Sequence, residues 1–153
     1  MSSTFTSPIR IFMRNNPTND GTIAPDNTGA AMVSKQTAIV AATASTVVIP
    51  AGSIINHISV FLNVVGAASR AISVTSNGVT TAIGSVVTTA LGKANATYVA
   101  SAAVANLLAN VGTFDVTITL ASEAASAGTF NVEYTARNAD GTITAYGSGY
   151  TNS

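Results

Sequence analysis

The stretch "VVIPAGSIINHISVFLNV" (residues 47–64) joins two apolar segments through a single Pro-Ala-Gly corner. Pro50 lacks an N–H and suits the second position of a type I turn, and Gly52 is favoured at the last position. After the corner, every second residue is apolar, which is the period of a β-strand that buries one face. The sequence therefore predicts a β-corner followed by a long strand. Its inward positions are Ile58, Val60, Leu62 and Val64, and its outward positions are Ile55, His57, Ser59, Phe61 and Asn63.

Other segments show a comparable strand pattern, with turn signals between them. They are residues 37–49, 71–76, 85–91, 114–120 and 129–135. The Asn77-Gly78 and Asp140-Gly141 pairs predict hairpin turns, because Asn, Asp and Gly tolerate positive φ. The segment 101–112, "SAAVANLLANVG", differs: its apolar residues follow a helical period, Ser101 can cap the start and Gly112 can close the end.

Short strands at this spacing, several with one polar face, predict an all-β fold. We expect an antiparallel β-sandwich or jelly-roll-like barrel with at most one short helix. Residues 1–35 hold three of the four prolines among Asn, Asp and Gly, a composition that favours turns or extended chain. We therefore predict an extended N-terminal arm over residues 1–35. A β-sandwich domain over 36–153 would end in a tail that contains Gly and Tyr.

Charge is scarce in the 153 residues. Only 8% are charged, against about 25% in an ordinary globular domain, and six basic side chains balance six acidic ones. This balance gives no basic surface for nucleic acid, and residues 94–114 are too polar for a membrane span. We also see no signal peptide. Two interpretations stay open: a soluble surface of Ser, Thr and Asn, or a surface that neighbours cover in an assembly.

The sequence offers no recognisable set of catalytic or metal-binding residues. His57 is the only histidine and no Gly-x-Ser-x-Gly elbow is present, so a hydrolytic triad is not indicated. Asp115 and Glu133 are outward residues of two strands and are the candidates for paired-carboxylate catalysis. There is no cysteine, and the Asx-rich segment 19–27 lacks the spacing of an EF-hand loop. We expect no enzyme activity, no cofactor and no metal.

A resemblance to a known family rests on the segment 47–74, "VVIPAGSIINHISVFLNVVGAASRAISV". The Asn-Gly hairpin and the segment 114–136, "FDVTITLASEAASAGTFNVEYTA", complete it. In this order the features are similar to small β-domains encoded beside major capsid genes in tailed bacteriophages. The resemblance implies a capsid decoration, or cement, protein that binds the outside of the shell, commonly as a trimer, and braces neighbouring capsomers. The implied partner is the major capsid protein, and the implied location is the exterior of a virion assembled in the host cytoplasm.

Two groups of contact residues follow as hypotheses. The arm would contact the capsid through Phe5, Ile9, Arg10, Phe12 and Arg14, and self-association would use Ile55, His57, Phe61, Tyr146 and Tyr150. Phe61 has an alternative place in a second buried face of the same domain. The alternative function is a carbohydrate- or host-binding β-module of a phage tail or fibre, although aromatic residues make up only 6% of the chain.

Overall fold

The computed structural model describes residues 32–137, which form eight β-strands and one α-helix. The strands are β1 (Met32–Ile39), β2 (Ser45–Ile49), β3 (Ile54–Val64), β4 (Arg70–Ser76), β5 (Val79–Val86), β6 (Gly92–Tyr98), β7 (Val116–Leu120) and β8 (Ala127–Thr135). The helix, α1, spans Ala102–Ala109. Residues 32–35, which the sequence prediction assigns to the arm, pair with β8 as the first half of β1.

The strands form one antiparallel sheet in the order β1-β8-β3-β6-β5-β4-β7-β2. β1 therefore pairs with β8, β2 with β7, β3 with β6 and β4 with β5. A long hairpin ribbon that folds over on itself produces these pairings, and this is the strand arrangement of a jelly roll. The predicted all-β, jelly-roll-like barrel with one short helix is confirmed.

The barrel is nearly closed, because its two edge strands, β1 and β2, lie side by side without a ladder between them. Two side chains bridge this seam. The Lys35 ammonium donates to the carbonyl of Val48 at 2.9 Å, and the Ser45 hydroxyl donates to the carbonyl of Ala38 at 3.0 Å. The seam is therefore held by side-chain hydrogen bonds where a ladder is absent.

The core lies between the inner faces of the strands and follows the predicted alternation. Its fully buried members include Ile49, Ile58, Leu62, Ile72, Val116, Ile118, Leu120, Phe130, Val132 and Tyr134. Each such aliphatic or aromatic side chain contributes roughly 1.5–3 kcal/mol relative to an exposed position. The inner faces predicted for the segments 114–120 and 129–135 are confirmed from Val116 onward.

The corner after β2 is a turn, as predicted, but it begins one residue later. The N–H of Ser53 donates to the carbonyl of Pro50 at 3.4 Å, which makes Pro50 the first residue of the turn. Gly52 has a φ of 73° at the third position, where a type II turn requires glycine. The predicted position and type of the turn are therefore wrong. Pro50 is its first residue, not its second, and the positive φ of Gly52 indicates type II, not type I.

The prediction that Ile55 faces outward is wrong. A register shift between Ile55 and His57, opposite Tyr134 and Glu133, leaves Asn56 as an extra residue in β3. Such a β-bulge reverses the alternation on one side of it. Ile55 is consequently buried in the core, on the same side as Ile58, and it is not available for a self-association surface.

Three other positions depart from the sequence prediction. Phe114 is 53% exposed because β7 begins only at Val116. Val64 is 48% exposed because it follows a second register shift near the end of β3. The segment 85–91 is strand only as far as Val86, and the following strand, β6, lies at residues 92–98, which the sequence prediction did not assign to a strand.

The predicted helix is confirmed. The Ser101 hydroxyl accepts a hydrogen bond from the N–H of Val104 at 3.2 Å and caps the first turn. Val104 is buried in the core, so the helix closes one end of the barrel. The chain leaves the helix at Asn110 and returns through Gly112, whose φ of 96° suits glycine.

Candidate functional site

The candidate catalytic residues do not come together in the structure. The carboxylate of Asp115 accepts a hydrogen bond from the N–H of Ala51 at 3.0 Å and lies before β7. Glu133 lies on β8, and β7 and β8 do not pair. Across residues 32–137, no three side chains of His, Cys, Asp or Glu are grouped so that they could hold a metal ion.

Polar side chains instead gather on the outer surface of the four strands β1-β8-β3-β6. We call this surface the amide face, and it consists of Ser34, Gln36, His57, Ser59, Phe61, Lys93, Asn95, Thr129, Asn131 and Glu133. The strand register aligns them in rows across the sheet, with neighbouring strands about 4.8 Å apart. One row contains Gln36, Asn131, Ser59 and Asn95, and the next contains Ala38, Thr129, Phe61 and Lys93.

Hydrogen bonds fix several of these side chains. The Asn131 amide accepts from the Ser34 hydroxyl through its oxygen and donates to Glu133 Oε1 at 3.2 Å through its nitrogen. His57 Nε2 lies 3.1 Å from Asn95 Oδ1, and since an amide oxygen only accepts, the imidazole nitrogen is the donor. The Asn131 and His57 side chains are therefore held in place before any ligand or partner arrives.

A groove of about 330 Å³ runs over this face. Its lining consists of Gln36, Ser59, Val60, Phe61, Lys93, Thr129 and Asn131. Phe61 is 59% exposed. Beneath it, a Cβ on Gly128 would overlap the carbonyl oxygen of Phe61, so glycine is what allows β3 and β8 to approach closely here.

The start of β1 and the end of β8 lie side by side at one end of the barrel. Met32, the first residue of β1, pairs with Thr135, the last residue of β8. The segments 1–31 and 138–153 are therefore attached close together at one end of the barrel, which also carries α1 and is called the helix end. The predicted contact residues of the arm and tail lie outside the described residues: Phe5, Ile9, Arg10, Phe12, Arg14, Tyr146 and Tyr150.

At the opposite end, a buried arginine ties the loops together. Arg70 is only 2% exposed. Its Nη1 donates to the Ser126 hydroxyl at 3.0 Å, its Nη2 donates to the carbonyl of Thr43 at 3.1 Å, and its Nε donates to the carbonyl of Ala121. Burial lowers the pKa of Arg70, while the charge of Glu123 acts to raise it. We call this end the clamp end.

Glu123 completes the clamp. Its carboxylate accepts hydrogen bonds from the N–H groups of Ala67 and Ala68 and from the Thr88 hydroxyl, the last at 3.1 Å. Burial acts to raise the pKa of Glu123, but hydrogen bonds from Ser126, these two N–H groups and Thr88 outweigh it, so the pKa lies below its usual value. The carboxylate is thus charged at neutral pH, and its role in the described contacts is structural.

Sequence reasoning found only part of this arrangement. The outward positions of His57 and Phe61 follow from the alternation in β3, and the structure places both on the amide face. The sequence analysis did not identify three residues of the groove, Gln36, Lys93 and Asn131. Of these, Asn131 had a signal, because it occupies an outward position on a predicted strand. Arg70 and Glu123 carry no sequence signal, because nothing in their neighbours marks either side chain as buried.

Comparisons with protein-family models, curated proteins and solved structures found no match to the chain. Among residues 32–137, the one helix is too short to cross a membrane.

Proposed function

We propose that the chain is a structural protein of a tailed-phage virion. It binds the outer surface of the capsid and stabilises contacts between capsomers, without catalysis. The observation that carries this proposal is the low charge of the barrel surface. Residues 32–137 contain seven Asp, Glu, Lys and Arg side chains, and two of them, Arg70 and Glu123, are engaged in the clamp. A surface with so few charges is inexpensive to desolvate against another protein.

The position of the chain ends supports a mode of attachment. Both terminal segments start at the helix end, so this end faces the major capsid protein in our proposal. Within the segment 1–31, Phe5, Ile9 and Phe12 fill apolar grooves on the capsid, and Arg10 and Arg14 meet acidic side chains. Contacts from the arm and from the barrel act together, and such multivalency raises the overall affinity by orders of magnitude over either contact.

A homotrimer is part of the proposal, because the resemblance implies one. Of the residues predicted for self-association, Tyr146 and Tyr150 belong to the segment 138–153, which follows the described residues. His57 and Phe61 lie on the amide face, where a second subunit would have to cover mostly polar side chains. Light scattering coupled to size-exclusion chromatography measures the mass directly, and a monomer at all concentrations would contradict the trimer.

Capsid binding is tested by co-sedimentation of the full chain with empty shells assembled from the major capsid protein of the same genome. We expect saturable binding that places a fixed number of copies on each shell. Absence of binding to both unexpanded and expanded shells would contradict the proposed function.

The role of the arm is tested by deleting residues 1–31. The cut is placed before Met32 because residues 32–35 pair with β8 and their loss would damage the barrel. We expect the circular dichroism spectrum of a β-protein and shell binding at least about tenfold weaker, as expected when one of two linked contacts is removed. A truncated chain that decorates shells normally would show that the arm is not the anchor.

A further inference from the structure

The amide face contains an exposed aromatic ring in an unusual setting. Phe61 is 59% exposed although it projects from β3, which pairs on both sides with other strands. The backbone that carries it is therefore held by strands on both sides, unlike that of a ring at the tip of a loop. Polar residues from all four strands surround it, so the ring is a small apolar platform within a polar surface.

Two polar side chains in the groove have no hydrogen-bond partner in the part of the chain that the structure describes. Within residues 32–137, the Gln36 amide and the Lys93 ammonium make no hydrogen bond to another side chain or to the backbone. An amide offers two donors and two acceptor sites, and the ammonium offers three donors. Asn131, between Gln36 and Ser59 in the same row, is fixed by Ser34 and Glu133. The groove thus combines an apolar ring, a fixed amide and unused donors.

We infer that the groove around Phe61 is a binding site for a short saccharide. A pyranose ring has an apolar C–H face that packs on an aromatic ring, and its hydroxyl groups pair with amides, hydroxyls and ammonium groups. The volume of about 330 Å³ lies at the lower end of the range for ligand sites, so the site accepts one or two sugar rings. This activity goes beyond capsid binding and does not depend on it.

The charge of the groove specifies the ligand further. Lys93 is the only ionisable side chain in the lining, and the nearby Glu133 carboxylate accepts a hydrogen bond from Asn131. A saccharide with a carboxylate, such as a uronic acid, gains an ion pair with Lys93 that a neutral saccharide lacks. We therefore expect acidic oligosaccharides to bind more tightly than neutral ones of the same length.

A second copy of this chain is the competing occupant of the face, and the surface chemistry favours the sugar. Phe61 is the only large apolar side chain of the groove that is exposed. Stable subunit interfaces have a predominantly apolar core, whereas here amides, hydroxyls and one cation surround a single ring. The surface is also grooved, which suits a small ligand better than a flat sheet from a second subunit.

The experiment compares two phenylalanine variants of the full chain. Phe61→Ala removes the ring from the groove, and Phe114→Ala removes a ring of similar exposure, 53%, from a position outside the groove. Both proteins and the parent are applied to an array of neutral and uronic-acid oligosaccharides. Each oligosaccharide that binds is then titrated in solution by NMR.

We expect the parent and Phe114→Ala to bind the same oligosaccharides with equal affinity, and Phe61→Ala to bind them about tenfold more weakly or not at all. Gln36→Ala should also weaken binding, and Lys93→Gln should remove the preference for uronic acids while retaining neutral ligands. Thermal melts of each variant establish that the barrel is folded.

Three results would overturn the inference. They are no binding to any oligosaccharide of the array, binding that Phe61→Ala leaves unchanged, and a Phe61→Ala variant whose oligomeric mass falls while that of Phe114→Ala does not. The last result would assign the face to self-association. The capsid proposal is judged separately, because a chain that binds shells but no sugar overturns this inference alone, and a chain that binds sugar but no shells overturns only the capsid proposal.

Discussion

Arg70 shows how one buried charged side chain can organise a set of loops. Its guanidinium donates to three acceptors in two segments that are distant from Arg70 in the sequence, 40–44 and 121–126. Glu123 adds contacts to the segment 65–69 and to Thr88. The clamp end is therefore fixed by polar contacts, whereas the helix end is closed by apolar packing of Val104 and Val111.

We predict that Arg70→Met destabilises the barrel by about 3 kcal/mol or more. The methionine fills much of the same volume but leaves buried acceptors without donors and Glu123 without its nearby cation. Urea denaturation of the variant and the parent measures the difference. Lys93→Met serves as a control, since Lys93 is exposed and its replacement should change the free energy of unfolding by less than about 0.5 kcal/mol. An equal loss of unfolding free energy in both variants would contradict the stabilising role of Arg70.

The lowered pKa of Glu123 leads us to predict that the stability of the barrel depends on pH. Burial acts to raise its pKa, but the hydrogen bonds it accepts hold the pKa below the usual value. Its stabilising contribution is therefore present above the unfolded-state pKa of about 4.3 and is lost as the pH falls through the lower folded-state pKa. We expect the free energy of unfolding to decline more steeply below about pH 5 in the parent than in Glu123→Gln. Parallel urea titrations from neutral pH to pH 3 that show equal slopes would contradict this assignment.

At the scale of single elements, β3 and β8 are the pair on which the amide face depends. They are in register along most of their length and approach closely where Gly128 faces Leu62. We predict that Gly128→Ala destabilises the barrel by about 1–3 kcal/mol, because its Cβ would meet the carbonyl of Phe61 and push the strands apart. Thr129→Ala, one residue further along β8, is the matched control and should cost less in the same thermal melts.

Strand prediction succeeded where alternation is strong and local. The inward residues of β4, β7 and β8 and the hairpin at Asn77-Gly78, with φ of 45° and 78°, follow from residue type alone. β6, "GKANATY", was missed because Gly, Lys, Asn and Ala have little preference for strands, although Ala94, Ala96 and Tyr98 alternate with polar residues and pack against the core. A strand of this kind forms because its neighbours β3 and β5 offer it hydrogen bonds.

The bulge at Asn56 and the shared groove could not be predicted from the sequence. A bulge depends on how two strands register against each other, and the residues around it look like ordinary alternation. The groove brings together Gln36, Phe61, Lys93 and Asn131 from four strands, and their proximity is set by pairings between distant segments. Sequence reasoning could place Phe61 on a surface, but only the strand order could show which polar side chains surround it.

At the scale of the whole molecule, the folded ribbon explains why the first and last described strands are neighbours. Because the first strand pairs with the last, the ribbon brings residues 32 and 135 together however long the intervening chain is. The barrel thereby separates its surfaces by task in our proposals: the helix end for attachment, the amide face for a sugar, and the clamp end for stability.

The pairing of β1 with β8 also determines how the barrel responds to mechanical load. Since the start of β1 and the end of β8 lie side by side on neighbouring antiparallel strands, tension that draws them apart acts on the terminal hydrogen bond first and then on each following bond in succession. Sequential rupture of this kind requires far less force than simultaneous shearing of a whole strand. If both termini are anchored, attachment to a single rigid neighbour protects the barrel, whereas attachment to two neighbours that move apart would unzip it from the β1 edge.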